Sequence, residues 1–229
     1  MAPTLQELLN VPDPAWPLVQ EEARACAHAV EVLGVEPARG EQMLLRMQIS
    51  AHSFLGALVL HTAGVLIDGG WLRLLGAGGH PKMQRSLPDW NADQLMGAAG
   101  MMLVADDAIG GFFALDGGAL GPGKGAIYHL APDKLEWEMF AANFTDFFRW
   151  SLSTALPEFY QAFRWPTWPA EVVNLTGDQA LKFQPYLFTQ EGRQPAAAIR
   201  TRVAVGELFA LYAIELPAQL GFLQPEVLK

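Results

Sequence analysis

The run Leu103-Val-Ala-Asp-Asp-Ala-Ile-Gly-Gly-Phe-Phe-Ala-Leu-Asp-Gly-Gly118 sets two apolar, strand-length segments on either side of an acidic turn that carries two glycines. Strand-forming residues bounded by Asp and Gly read as a hairpin. The connection is too short for a helical crossover, so the two strands are expected to be antiparallel. The same signal occurs upstream, where Val65-Leu-Ile67 and Trp71-Leu-Arg-Leu-Leu75 flank Asp68-Gly-Gly70. Met101 to Ala105, Phe112 to Asp116 and Ala126 to Leu130 extend the series into a meander.

Helical periodicity surrounds this extended region. Pro14 and Pro17 lead into an alanine-rich segment, Leu18 to Val30, with glutamates in its first turns. Val30 to Val35 alternates like a short strand, Pro37 opens a helix through about Met47, and Ser53 is placed to cap another from Ser53 to about Thr62. After Pro132 the chain turns helical again. Thr145 is a candidate cap for Asp146 to Thr154, Leu156 to Phe163 adds an aromatic-rich helix or turn, and these helices are expected to cover one face of the sheet. Gly76-Ala-Gly-Gly-His-Pro81 reads as a flexible loop. Gly206 to Leu216 reads as a helix that Pro217 must end or kink.

Composition excludes several classes. The chain has 229 residues, 51% of them hydrophobic and 17% charged, which suits one substantial core. A net charge of -9 disfavours binding to nucleic acid or anionic lipid, both of which need a basic face, and suits a partner with a basic surface. The longest apolar stretches fall short of the roughly 20 residues that cross a bilayer, so no membrane segment is expected. Cys26 is the sole cysteine, and Met1-Ala-Pro-Thr-Leu-Gln-Glu7 has neither a basic leader nor an apolar signal core. A cytoplasmic location is therefore the expectation.

Chemistry-bearing motifs are scarce. Gly121-Pro-Gly-Lys-Gly125 lacks the Ser or Thr and the helix that must follow a phosphate-loop lysine, and Gly76-Ala-Gly-Gly79 lacks dinucleotide spacing. His28, His52, His61, His80 and His129 show no paired ligand spacing, and no serine sits in a nucleophile elbow. No catalytic residue, metal or cofactor is assigned. Asp107, and Asp116 before Gly117-Gly118, suit acceptance of backbone hydrogen bonds in turns. Asp106 and Asp107 should face opposite ways, as adjacent strand residues do. Asn143-Phe-Thr145 and Asn174-Leu-Thr176 match the glycosylation pattern but read better as helix caps. Trp71, Trp90, Trp137 and Trp150 are assigned to the core. Trp165 and Trp168, each before a proline, are candidates for an exposed anchor.

Taken in order, Ala15-Trp-Pro17, Gly64-Val-Leu-Ile-Asp68, Gly70 to Gly78, Arg85-Ser-Leu87, Trp90-Asn91, Val104-Ala-Asp-Asp107, Gly110-Gly-Phe-Phe113, Ala131-Pro-Asp133 and Glu136-Trp137 resemble the bacterial family known as domain of unknown function 2625. The resemblance runs from the N-terminus to about Trp168. More distantly, the arrangement of strands and aromatic helix resembles the SUKH superfamily. These resemblances imply an α+β fold with a central, mostly antiparallel or mixed sheet flanked by helices. The chain then divides into a SUKH-like domain at 1–168 and a C-terminal extension, 169–229, packed on it.

The family brings no catalytic residues. The resemblance to SUKH proteins, the acidic balance and the absence of an active-site motif together point to a non-catalytic, protein-binding and immunity-like module with a basic or toxin-like protein as its partner, and the residues themselves offer Asp106, Asp107, Asp116, Trp165 and Trp168 as its candidate surface. The alternatives are a small-molecule or metal-dependent enzyme using Asp106, Asp107, His129 or Asp133 at the acidic end of the sheet, and a structural or homodimerising protein.

Overall fold

A computed structural model describes residues 2–95 and 100–222. Its frame is a seven-stranded sheet in which spatial order equals chain order. The strands are β1 (Val30–Leu33), β2 (Gly64–Ile67), β3 (Leu72–Leu75), β4 (Met101–Asp107), β5 (Phe112–Asp116), β6 (Ile127–Leu130) and β7 (Trp137–Ala141). Every pairing is antiparallel, so the sheet is not mixed. The hairpins legible in the sequence are present, and β7, which the sequence reading passed over, closes the far side. Its one-residue bulge opposite Ile127 and Tyr128 blurs the period-2 pattern.

Helices α1 (Leu5–Leu9), α2 (Trp16–Ala25), α3 (Pro37–Met47) and α4 (Phe54–His61) precede or interrupt the first strands. Ser53 caps α4 as expected, its hydroxyl accepting the Gly56 N–H at 3.0 Å. Helix α5 (Leu87–Leu95) follows β3, and α6 (Phe144–Leu152) follows β7. Asn143 rather than Thr145 caps α6, because its side-chain oxygen reaches the Asp146 N–H at 2.9 Å. Beyond it come α7 (Ala155–Phe159), a short 3-10 turn at Gln161–Phe163 and α8 (Trp168–Val172).

The sheet is covered on both faces, not one. Phe112 and Phe113 are adjacent in β5 and fully buried, yet they meet different layers. Phe113 packs against Phe147 of α6, and Phe112 packs edge-on against Phe209. That second layer comes from α5 and from chain beyond Trp168. It holds a two-stranded antiparallel ribbon, β8 (Gln179–Gln184) with β9 (Ile199–Ala204), and α9 (Val205–Phe209). Val172, Phe183, Leu208, Phe209 and Tyr212 all join the main core.

The C-terminal helical stretch does not stop at Pro217. A π-helical segment, Ala210–Glu215, intervenes before α10 (Leu216–Leu220). Proline lacks an N–H, and the wider turn lets the chain pass through Pro217 with that donor missing. The expectation for residues 223–229 falls outside the described residues.

The stretch expected to be a flexible loop, Gly76 to Pro81, is largely packed and bonded. The Ala77 and Gly78 N–H groups donate to the carbonyls of Thr62 and Ala63 at 2.8 and 2.9 Å, and Arg39 Nε donates to the Ala77 carbonyl at 2.7 Å. Glycine is needed here for approach, since a Cβ on Gly76 would stand 2.5 Å from the Thr62 carbonyl oxygen. Gly76→Ala is therefore expected to lower stability by roughly 1–3 kcal/mol through overpacking against backbone, measured as a shifted denaturation midpoint at unchanged slope. A variant as stable as the parent would refute the close-packing reading.

Candidate functional site

The Asp106-Asp107 pair ends β4, and strand alternation sends its two carboxylates into opposite layers, as the sequence pattern required. Both are wholly buried. Asp106 sits opposite Arg73 of β3 in the sheet register and accepts its Nε at 2.7 Å. Arg85, from the segment leading into α5, pairs with the other carboxylate oxygen. Arg73 is only 1% exposed, and each of its nitrogens has an oxygen partner: its remaining donors reach the Gln179 carbonyl at 2.5 Å and the Asp107 carbonyl at 2.6 Å. Arg85 also donates to the Gly177 carbonyl and stacks on Trp90 with its guanidinium carbon 4.6 Å from the ring centre. Asp178 in turn accepts the backbone N–H groups of Gln84 and Arg85. The cluster therefore ties β3, β4, the α5 entry and β8 together.

Asp107 turns toward the helices. Its Oδ1 accepts the N–H groups of Ile109 and Gly111 at 3.0 and 2.7 Å, fixing the glycine turn as the sequence predicts. Its Oδ2 accepts the Tyr160 hydroxyl at 2.9 Å. Burial outweighs these bonds and pushes the carboxyl up to about 6. Tyr160 is raised well above the phenol range, chiefly by its own burial.

His129 of β6 lies on the same side. Its ring stacks on Phe113 at 4.3 Å and meets the edges of Phe140 and Phe159. Burial, with Lys134 adding repulsion, pulls it down to about 3, so the imidazole is neutral at pH 7. Its Nε2 has no hydrogen-bond partner among the described residues. A Cβ on Gly111 would fall on Asp107 Oδ2 and within 2.9 Å of His129 Nε2, so both atoms flank one glycine. A small cavity of about 160 Å³ opens beside His129 and is also lined by Asp133 and Phe163.

Of the other expected surface residues, Asp116 and Trp165 are buried and Trp168 is half-buried. Asp116 is buried, with Oδ1 accepting the N–H groups of Gly118, Ala119 and Leu120 at 2.8 to 2.9 Å. Trp165 is 3% exposed and is not a surface anchor: its Nε1 donates to Glu171, Arg200 covers its face, and Phe183 meets its edge. Trp168 is half-buried, standing edge-on to Trp71 with Arg164 over its ring. Trp71 and Trp90 are core as expected, while Trp137 and Trp150 are only partly buried. Asp106, Asp107, Asp116 and Trp165 are thus buried and hold a turn or a layer in place, while Trp168 keeps partial exposure.

Sequence reasoning missed Arg73, Arg85, Tyr160 and Asp178. Only Arg73 carried a signal, being a cation inside the otherwise apolar strand Trp71-Leu-Arg-Leu-Leu75. It also missed Asn91, whose amide accepts the Leu103 N–H at 2.7 Å and donates back to its carbonyl at 2.9 Å. Asn91 thereby serves β4 where the pairing with β3 has ended. Among the described residues no three His, Cys, Asp or Glu side chains are placed to hold a metal ion, and no helix is long and apolar enough to cross a membrane.

Together these features define an α+β domain whose seven-stranded meander is clamped by a buried Arg-Asp-Arg cluster. The chain belongs to the family described as protein of unknown function DUF2625, whose model matches residues 5–208 and so runs past Trp168 into the second layer. It is 34% identical over 207 residues to the putative uncharacterized protein YbfG of Escherichia coli, covering 90% of this chain and 94% of that protein. It is 36% identical over 188 residues to an uncharacterized protein of Haemophilus influenzae, covering 80% and 82%.

Two expected outcomes follow for the carboxylates and the imidazole. Asp106→Ala leaves two buried guanidinium groups without their shared anion and is expected to destabilise by roughly 3–5 kcal/mol, read by urea denaturation; a loss typical of an exposed residue would refute the clamp. The pH dependence separates the other two groups. The unfolded chain takes up the His129 proton near pH 6.5 while the folded chain resists it to about pH 3, so this group makes stability rise with pH across that window. Asp107 acts in the opposite sense. The folded chain retains its proton up to about pH 6, so stability falls as pH rises from about 4 to 6. The two slopes oppose one another between about pH 4 and 6, so His129→Phe should leave stability falling with pH across that range, whereas Asp107→Asn should leave it rising; parallel profiles for both variants and the parent would overturn these assignments.

Proposed function

We propose that the chain is a protein-binding module that takes an extended segment of its partner along the free edge of β1. The observation that carries this reading is the surrounding of that edge. Among the described residues, β1 has β2 on one side and no strand on the other. Asp68 N–H to Ala29 C=O and Ala63 N–H to Leu33 C=O fix the bonding phase, which turns the backbone groups of Val30 and Val32 away from β2. A groove of about 450 Å³ runs between this edge and α2, with Trp16, Ala23, Val30 and Val32 among its lining residues. Val32 is 43% exposed.

A sheet edge flanked by a helix is a recurrent peptide-binding arrangement. Main-chain bonds supply affinity, and alternate side chains enter the groove. The groove is also held in shape, since Cys26 and His28 at its end are bonded to the Leu152 and Ser151 carbonyls of α6. The net charge of -9 favours a basic segment by steering its approach. A toxin-like partner, and the immunity-like role that goes with it, remain within this reading as its narrower form.

Photocrosslinking tests it. A photoreactive benzoyl-phenylalanine in place of Ala23 is expected to trap one partner in the native cell, and Val32→Pro, which removes an outward amide, should abolish that adduct. Val32→Thr should preserve it. An adduct indifferent to Val32→Pro in the folded protein would overturn strand addition at β1, and absence of any adduct would count against the groove.

A further inference from the structure

A second site lies at the other side of the sheet, independent of the β1 groove. The cavity beside His129 adjoins a larger one of about 380 Å³ bounded by Leu187, Gly192 and Arg193, and the two share Asp133, Lys134 and Phe163 as a common wall. The inner end is apolar and rigid: Phe159 meets Phe140 and Trp150 edge-on, and the buried His129 is held by its stack on Phe113. A neutral imidazole with an unpartnered nitrogen is an unusual lining for a purely structural pocket, because a buried polar atom without a partner is destabilising.

The charges of the wall are unevenly used. Lys134 is committed to Glu138 at 2.6 Å. That leaves Asp133 and Arg193, which are near enough to influence one another but make no ion pair within 4.0 Å among the described residues. Burial raises the Asp133 carboxyl although Lys134 and Arg193 both act to lower it, and Arg193 is exposed to solvent. One anion and one cation thus stand across a cavity whose floor is aromatic.

We propose that the joined cavities bind a zwitterion the size of an amino acid, with its ammonium group on Asp133, its carboxylate on Arg193 and its apolar body against Phe159 and Phe163. Opposite charges lining one cavity favour a molecule that carries both. The aromatic floor selects an apolar side chain over a polar one. Neither a simple amine nor a simple carboxylate satisfies both groups, since the amine leaves Arg193 and the carboxylate leaves Asp133 without a partner.

Calorimetric titration of the full chain with L-phenylalanine, L-leucine, phenethylamine and 3-phenylpropionate tests the assignment. Saturable binding of at least one amino acid is expected, with the half-ligands weaker by about tenfold or more. Asp133→Asn and Arg193→Gln should each weaken that binding by about tenfold at an unchanged unfolding midpoint, since neither residue holds the core. No saturable binding of either amino acid up to about 10 mM, where affinity is negligible, would overturn the proposal. Phenethylamine binding as tightly as phenylalanine, with Arg193→Gln silent, would overturn it in favour of a plain cation site.

Discussion

Asp106 is the charge on which the arrangement of this domain turns. A carboxylate at full burial is tolerated only when its desolvation is offset by close, well-directed partners, and here two guanidinium groups supply them. Arg73 is completed by the backbone carbonyls of Gln179 and Asp107, and Arg85 gives Nε and Nη2 to the Gly177 carbonyl. The cluster therefore recruits main chain from β8 to finish its solvation. The second layer is positioned by the hydrogen-bond requirements of a buried ion triad as much as by its own apolar contacts.

The residue beside it shows how the same strand serves a different task. Asp107 is buried as deeply, but it is answered by neutral donors, two backbone N–H groups and a phenol. One step along β4 thus changes a charge matched by counter-charges into an acid held near the edge of protonation. The glycine turn that follows is needed for both. Gly111 leaves space at its Cα for Asp107 and His129, and a Cβ there would collide with the Asp107 carboxylate and crowd the His129 ring.

Much of the central sheet was legible because its strands are short, apolar and separated by Asp-Gly turns, so local rules decide them. Asp107 and Asp116 were readable as turn acceptors for the same reason, and adjacent placement fixed the divergence of Asp106 from Asp107. What could not be read was burial. The sequence shows acids and tryptophans but not that Arg73, Arg85 and Arg200, distant in the chain, cover them. β8 and β9 were hidden because their polar, Gln- and Arg-bearing strands carry little alternation, and one face of β9 is left exposed. The β1 edge and the His129 cavities were likewise invisible, since both are spaces between elements.

A sheet whose spatial order repeats its chain order is assembled from chain neighbours: β2–β3, β4–β5, β5–β6 and β6–β7 close short connections at small entropic cost, while β1–β2 and β3–β4 close longer ones that hold α3, α4 and α5. The bond from Arg73 to the Gln179 carbonyl is of another kind, joining residues 106 positions apart. The meander's shortest closures and this long one meet at a single carboxylate. The C-terminal segment is thus a latch, and the atoms that hold it shut are the ones that keep two cations dry.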